Sequence, residues 1–178
     1  MDANAVARSY GRTRQWLHWV GALLILAMIP TGLVMARTLD DGLRLTLYQA
    51  HLVIGWTVVA LAIWRLALRI RTRVPAPAEL APWNRTLLHG THWAIALFPL
   101  LLAVSGLGTM LQNDLVPLIQ AGQAPPATLD VLTARTGHQI GSYLFTALLI
   151  VHVGGIVRHQ VRFGGALAPM VRSGRSNG

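Results

Sequence analysis

HQIGSYLFTALLIVHVGGIVRH, residues 138–159, is the stretch whose reading decides the fold. It is a run of apolar and small residues, and a helix needs about 20 such residues to cross a bilayer. His138 opens it, His152 lies near its end and His159 closes it. On an α-helix the step from His138 to His152 rises about 21 Å and falls about 40° short of four whole turns. Both imidazoles therefore leave the helix on one side, at two depths of one membrane. An ionisable side chain inside a span is a functional hypothesis by default, because hydrocarbon makes an unsatisfied polar group costly.

The rest of the chain has the composition of a membrane protein. Of its 178 residues, 53% are hydrophobic and 12% charged, with mean hydropathy +0.50; soluble domains carry about twice that charged share. The formal net charge is +9 and every basic residue is Arg. These arginines sit between apolar runs, so they report topology rather than nucleic-acid binding. Cysteine is absent. That excludes disulfides, thiolate-bound iron–sulfur clusters and a covalently attached c-type haem. Any cofactor has to be held non-covalently, and the seven histidines are its natural ligands.

Hydropathy predicts an all-α fold, an integral membrane four-helix bundle forming one domain over residues 1–178. Its spans fall at about 16–36, 46–68, 86–111 and 138–158, between basic tails at 1–14 and 160–178. Arg8, Arg12 and Arg14 before the first run, and Val34-Met35-Ala36 after it, loosely resemble a signal peptide. The run exceeds a usual signal core and contains His18, so it is read as a retained span. Pro30 and Pro99 lie inside spans, where neighbouring helices can satisfy the freed carbonyls. Pro75, Pro77 and Pro82 stiffen the second connection, and the loop 112–137 is the longest, with part of it expected along the membrane surface. Twelve of the fifteen arginines belong to the N-terminus, the second connection and the C-terminus, while four of the six acids lie in the other two loops. The positive-inside rule then puts both termini in the cytoplasm.

Orientation gives each histidine a depth. His18 and His152 lie near the cytoplasmic face, and His51 and His138 near the periplasmic face. The couples are His18 with His152 and His51 with His138, the fourth span serving both. His89 and His92 also lie on the cytoplasmic side, so spacing alone leaves His92 open as an inner ligand. A single His in a span is as readily an interhelical hydrogen-bonder; four at two matched depths point to ligation of two metals. Imidazoles facing one another across a bundle hold a haem iron from both sides, and such iron suits outer-sphere electron transfer. Gly55, Gly141, Gly154 and Gly155 can make room for a porphyrin, although glycines in spans more commonly let helices approach. Arg14, Arg135 and Arg162 are candidates to neutralise propionates.

With those residues in place the chain resembles the bacterial cytochrome b561 family of small, four-span, di-haem b proteins of the inner membrane. The resemblance runs from about Gln15 to Arg162. It is carried by Leu17-His18-Trp19, by Ala50-His51 with Gly55, and by Trp64-Arg65-Leu66-Ala67-Leu68-Arg69. It is carried further by His89-Gly90-Thr91-His92, Gly137-His138-Gln139 and Val151-His152 with His159. It implies two haem b groups with His18, His152, His51 and His138 as axial ligands, which removes His92 from the inner site. It also implies electron exchange with a quinone such as ubiquinone, oxidoreductase activity and, for one characterised activity, superoxide as the periplasmic donor. Arg135 then stands beside the outer ligand, with Arg44 adding to a patch that attracts a small anion; Asp40 and Asp41 weaken that patch. His159 is the candidate proton donor to quinone, its alternative being an interfacial or propionate-contacting role. Two other readings remain: a haem-bearing membrane anchor for a dehydrogenase or hydrogenase, and a haem-free, His-lined transporter. Lipid, quinone and superoxide are the partners this resemblance implies; which protein, if any, docks on the chain is not legible in the sequence.

Overall fold

The computed structural model describes residues 12–71, 82–129 and 133–164. Most of each expected basic tail and most of the Pro-rich connection lie outside the described residues. Within them the chain forms α1 (Arg12–Met35), α2 (Asp41–Arg71), α3 (Pro82–Gln112), α4 (Leu115–Gln120) and α5 (Thr133–Phe163). Four of these helices are long and apolar enough to cross a membrane. They run past the apolar spans into polar residues, α2 starting at Asp41 and α5 continuing through Arg158 and Arg162. Hydropathy registers only the hydrocarbon-length middle of a helix, so it misses such ends.

The packing is that of a protein dissolved in lipid. At most 17% of the residues in any apolar window are buried within the protein. Leu23, Leu26, Val53, Ile63, Leu101, Val104 and Ile150 all face outward. Closed helices are what such an environment demands, because each backbone polar group then finds its partner within the segment. Neighbouring helices pack in a chain, α1 on α2, α2 on α3 and α3 on α5, and α5 is not packed along α1 or α2. The side chains on the inner face of α5 therefore look across the interior towards α1 and α2.

The apolar core gathers at the end formed by the α1–α2 and α3–α5 connections. There Tyr48, Met110 and Leu115 bury one another, with Met35, Leu52 and Ile119 against them. The loop 112–137 contributes α4, whose Leu115 is fully buried. Asp114 precedes α4 in a left-handed conformation (φ 48°), one that Asp tolerates better than most residues.

Arg44 ties this end together. Its Nε donates to Pro125 O at 2.6 Å, its Nη1 donates to Thr38 O at 3.1 Å, and its Nη2 pairs with Asp41. Arg44 is 5% exposed. It is thus a staple between two loops, and its charge does not add to an exposed patch as the sequence had suggested. The two acids beside it are also occupied locally: Asp40 accepts the Leu43 N–H at 2.6 Å, capping α2, and Asp41 pairs with Arg44.

Candidate functional site

Five histidines of the long helices point into the bundle at two levels. At the level near the loops, His51 of α2 and His138 of α5 face each other with ring centroids 6.2 Å apart. Two metal–imidazole bonds of about 2 Å, plus ~1.2 Å from nitrogen to ring centre on each side, put the centroids of a bis-imidazole site about 6.4 Å apart. The outer pair has that spacing.

Each ring at this level is also held by its other nitrogen. His138 Nδ1 lies 2.9 Å from Leu102 O and 3.2 Å from Ser105 Oγ of α3. His51 Nδ1 lies 3.4 Å from Thr31 Oγ1 of α1. A carbonyl can only accept, so the His138 proton resides on Nδ1, and Nε2 keeps its lone pair for a metal. Gly106 makes the approach possible: a Cβ there would stand 3.1 Å from His138 Cε1. Gly32 does the same for His51, where a Cβ would stand 3.3 Å from Cε1.

Three histidines share the other level. His152 of α5 and His92 of α3 have ring centroids 5.2 Å apart, closer than two imidazoles on opposite sides of one haem iron would stand. His18 of α1 is within electrostatic reach of both. Its Nδ1 is 3.4 Å from Arg65 Nη2, and that guanidinium passes beside Gly21 of α1, where a Cβ would stand 3.4 Å from Nη1. His92 Nδ1 donates to Leu88 O of its own helix at 2.7 Å. Arg69 stacks over the Trp93 ring at 4.7 Å. Midway between the levels, Phe145 of α5 is buried and stacked on Phe98 of α3, centroids 5.6 Å apart. Phe145 is seven residues from His138 and seven from His152, so two helical turns separate it from each.

The glycines divide. A Cβ on Gly141 would stand 3.0 Å from Leu102 Cδ2, so that glycine serves close helix packing, whereas one on Gly55 would meet the Met28 Cε at an ordinary 3.4 Å. Around Gly154 and Gly155 a Cβ would meet nothing within 4 Å. Arg135 lies one turn before His138 and donates to Leu129 O. Arg14 is half-buried and Arg162 exposed. His159 packs against Phe163, centroids 5.2 Å apart, and its buried Nδ1 has no hydrogen-bond partner among the described residues.

The sequence model of the family described as prokaryotic cytochrome b561 matches residues 9–173. The chain belongs to that family. No curated protein matches it. Membership makes this cytochrome a multi-pass membrane protein that binds haem b and transfers electrons. The donor set fits that cofactor on geometry as well: the outer imidazoles have the spacing of a bis-histidine iron, and the Leu102 carbonyl leaves His138 the tautomer that exposes Nε2. Among the described residues no group of three or more His, Cys, Asp or Glu is gathered to hold a metal unaided, whereas haem iron requires only two axial side chains.

The residues behind the outer histidines were not legible in the sequence. Thr31, Gly32, Ser105 and Gly106 act on a histidine of another helix, so no spacing within one segment reveals them. Arg65, in the 64–69 stretch near the end of its span, turns inward to His18. One signal was available: a hydroxyl residue followed by Gly and Leu occurs in both Thr31-Gly32-Leu33 and Ser105-Gly106-Leu107.

Proposed function

We propose that this cytochrome carries electrons across the bacterial inner membrane through two b haems, from a donor on the periplasmic side to membrane quinone. The reading rests on one observation above all. His51 and His138 face each other at 6.2 Å inside an apolar bundle, and α5 repeats an inward histidine fourteen residues on, at His152. His51 with His138 would hold the outer haem, and His18 with His152 the inner one. Haem supplies a one-electron couple, and with both axial positions taken by imidazole it favours outer-sphere transfer over oxygen binding.

The protein's own residues do the rest. The helices exclude water from the interior and keep the two ligand levels about 21 Å apart along α5. At the inner level His18 can ligate through Nε2 only when its Nδ1 carries the proton, so the Arg65 guanidinium has to turn from that nitrogen towards an anion such as a propionate. Arg135, beside the outer ligand, is the residue positioned to attract a small anionic donor, and superoxide is the first to test. His159, at the end where the Arg distribution places the cytoplasm, is the candidate proton donor to bound quinone.

Stopped-flow mixing of the purified, haem-loaded protein with superoxide and a ubiquinone analogue tests the reading. Reduction of the haem followed by reoxidation by quinone is the expected result. Haem that superoxide leaves oxidised removes superoxide as donor, and haem that quinone leaves reduced removes the quinone acceptor.

A further inference from the structure

The outer histidines are seated alike on two different helices. On α1 the seat is Thr31-Gly32, against His51; on α3 it is Ser105-Gly106, against His138. Successive helical residues are turned about 100° apart, so in each seat the hydroxyl meets Nδ1 while the bare glycine backbone lies along the ring. A methyl at 106 would stand 3.2 Å from His138 Nδ1, and one at 32 would stand 3.7 Å from His51 Nδ1.

The hydroxyl protons are already committed. Thr31 Oγ1 donates within α1, with Ala27 O at 3.0 Å and Met28 O at 2.9 Å in reach of its single hydrogen. Ser105 Oγ donates to Leu102 O at 3.0 Å. A hydroxyl has one proton and two lone pairs. Towards the imidazoles, both oxygens are therefore left as acceptors, and each histidine must offer Nδ1–H.

We infer that Thr31 and Ser105 are positioning residues that hold His51 and His138 in the Nδ1–H tautomer and thereby lower the reduction potential of iron held between them. The inference rests on the proposed pairing of His51 with His138. Its physical basis is that donation from Nδ1–H makes a ligating imidazole more basic, and a more basic ligand stabilises the ferric over the ferrous state. The two seats are unequal. His138 has the Leu102 carbonyl at 2.9 Å in addition to Ser105, whereas Thr31, at 3.4 Å, is the hydrogen-bond partner His51 has among the described residues.

The test is an anaerobic spectroelectrochemical titration of the full-length, haem-loaded protein, with His51→Ala marking which wave belongs to the outer haem. Thr31→Val keeps the shape and removes the acceptor. It should move that wave upward by a threefold to tenfold change in the reduced-to-oxidised ratio, about 30–60 mV for one electron. Ser105→Ala should move it by less than threefold, Leu102 O remaining, and Thr31→Ser should restore the wild-type position. An outer wave that Thr31→Val leaves in place or lowers overturns the inference. If Thr31→Val instead loses the outer haem, recovery of haem and wave by Thr31→Ser supports the inference and failure to recover overturns it. His51→Ala deleting no wave is the separate result that removes the ligand pairing itself.

Discussion

Gly106→Ala offers a sharp test of how closely α3 is fitted to His138, the proposed outer ligand. The added Cβ would sit 3.1 Å from His138 Cε1 and 3.2 Å from Nδ1, inside ordinary van der Waals contact, so the ring must retreat by a few tenths of an ångström. Retreat stretches the 2.9 Å bond to Leu102 O. Overpacking costs about 1–3 kcal/mol, and a weakened hydrogen bond adds about 1 kcal/mol. Against this, Ala in a helix interior is favoured over Gly by about 1 kcal/mol. The helix gains and the ligand loses, so haem affinity at the outer site should fall by about 1–3 kcal/mol, roughly 5- to 150-fold, with little change in unfolding of the haem-free protein. Haem titration of the apoprotein in detergent, followed by the Soret band, measures it. Gly90→Ala is the control, because a Cβ there meets nothing within 4 Å. Gly106→Ala binding both haems with wild-type affinity and spectrum would refute the reasoning.

Other outcomes follow from the same geometry. Arg44→Met should strip the donors from Pro125 O and Thr38 O, at about 1–3 kcal/mol for each carbonyl left unpaired; thermal unfolding in detergent reads the loss, and haem content per folded chain should stay unchanged. Phe145→Ala, which empties a buried site stacked on Phe98, should destabilise the bundle by about 3–5 kcal/mol, seen as a lower melting temperature. His92→Ala should retain two haems while shifting the inner spectrum, because that ring packs against His152 of the proposed inner site, and His18→Ala should lose the inner haem. Reversal of those two results would assign the inner ligand to His92.

Much of the architecture was legible because lipid imposes a plain rule on sequence. Spans must be long, apolar and helical, and hydropathy locates them without knowledge of their neighbours. The same regularity put His138 and His152 on one face of α5, since a fourteen-residue step nearly completes four turns. Depth then sorted the remaining histidines into levels, but it could not say which rings are nearest. At the inner level the ring closest to His152 is that of His92, a neighbour supplied by the packing of α3 on α5. Arg44 was misread for a related reason. An Arg in a short polar loop looks solvated until the fold brings Pro125 from the other connection against it. Gly55 and Gly141 looked like space for a cofactor, yet each lies against a side chain of a neighbouring helix. What sequence conceals here is contact between segments far apart in the chain.

The claim on which everything turns is that four histidines hold two haems. Pyridine-haemochrome assay against protein concentration, on the wild type and on single His51→Ala, His138→Ala, His18→Ala and His152→Ala variants, tests it most directly. The account predicts two haems in the wild type and one in each variant, His51→Ala and His138→Ala losing the same spectral component. One haem in the wild type, or two retained after any of these substitutions, would contradict it.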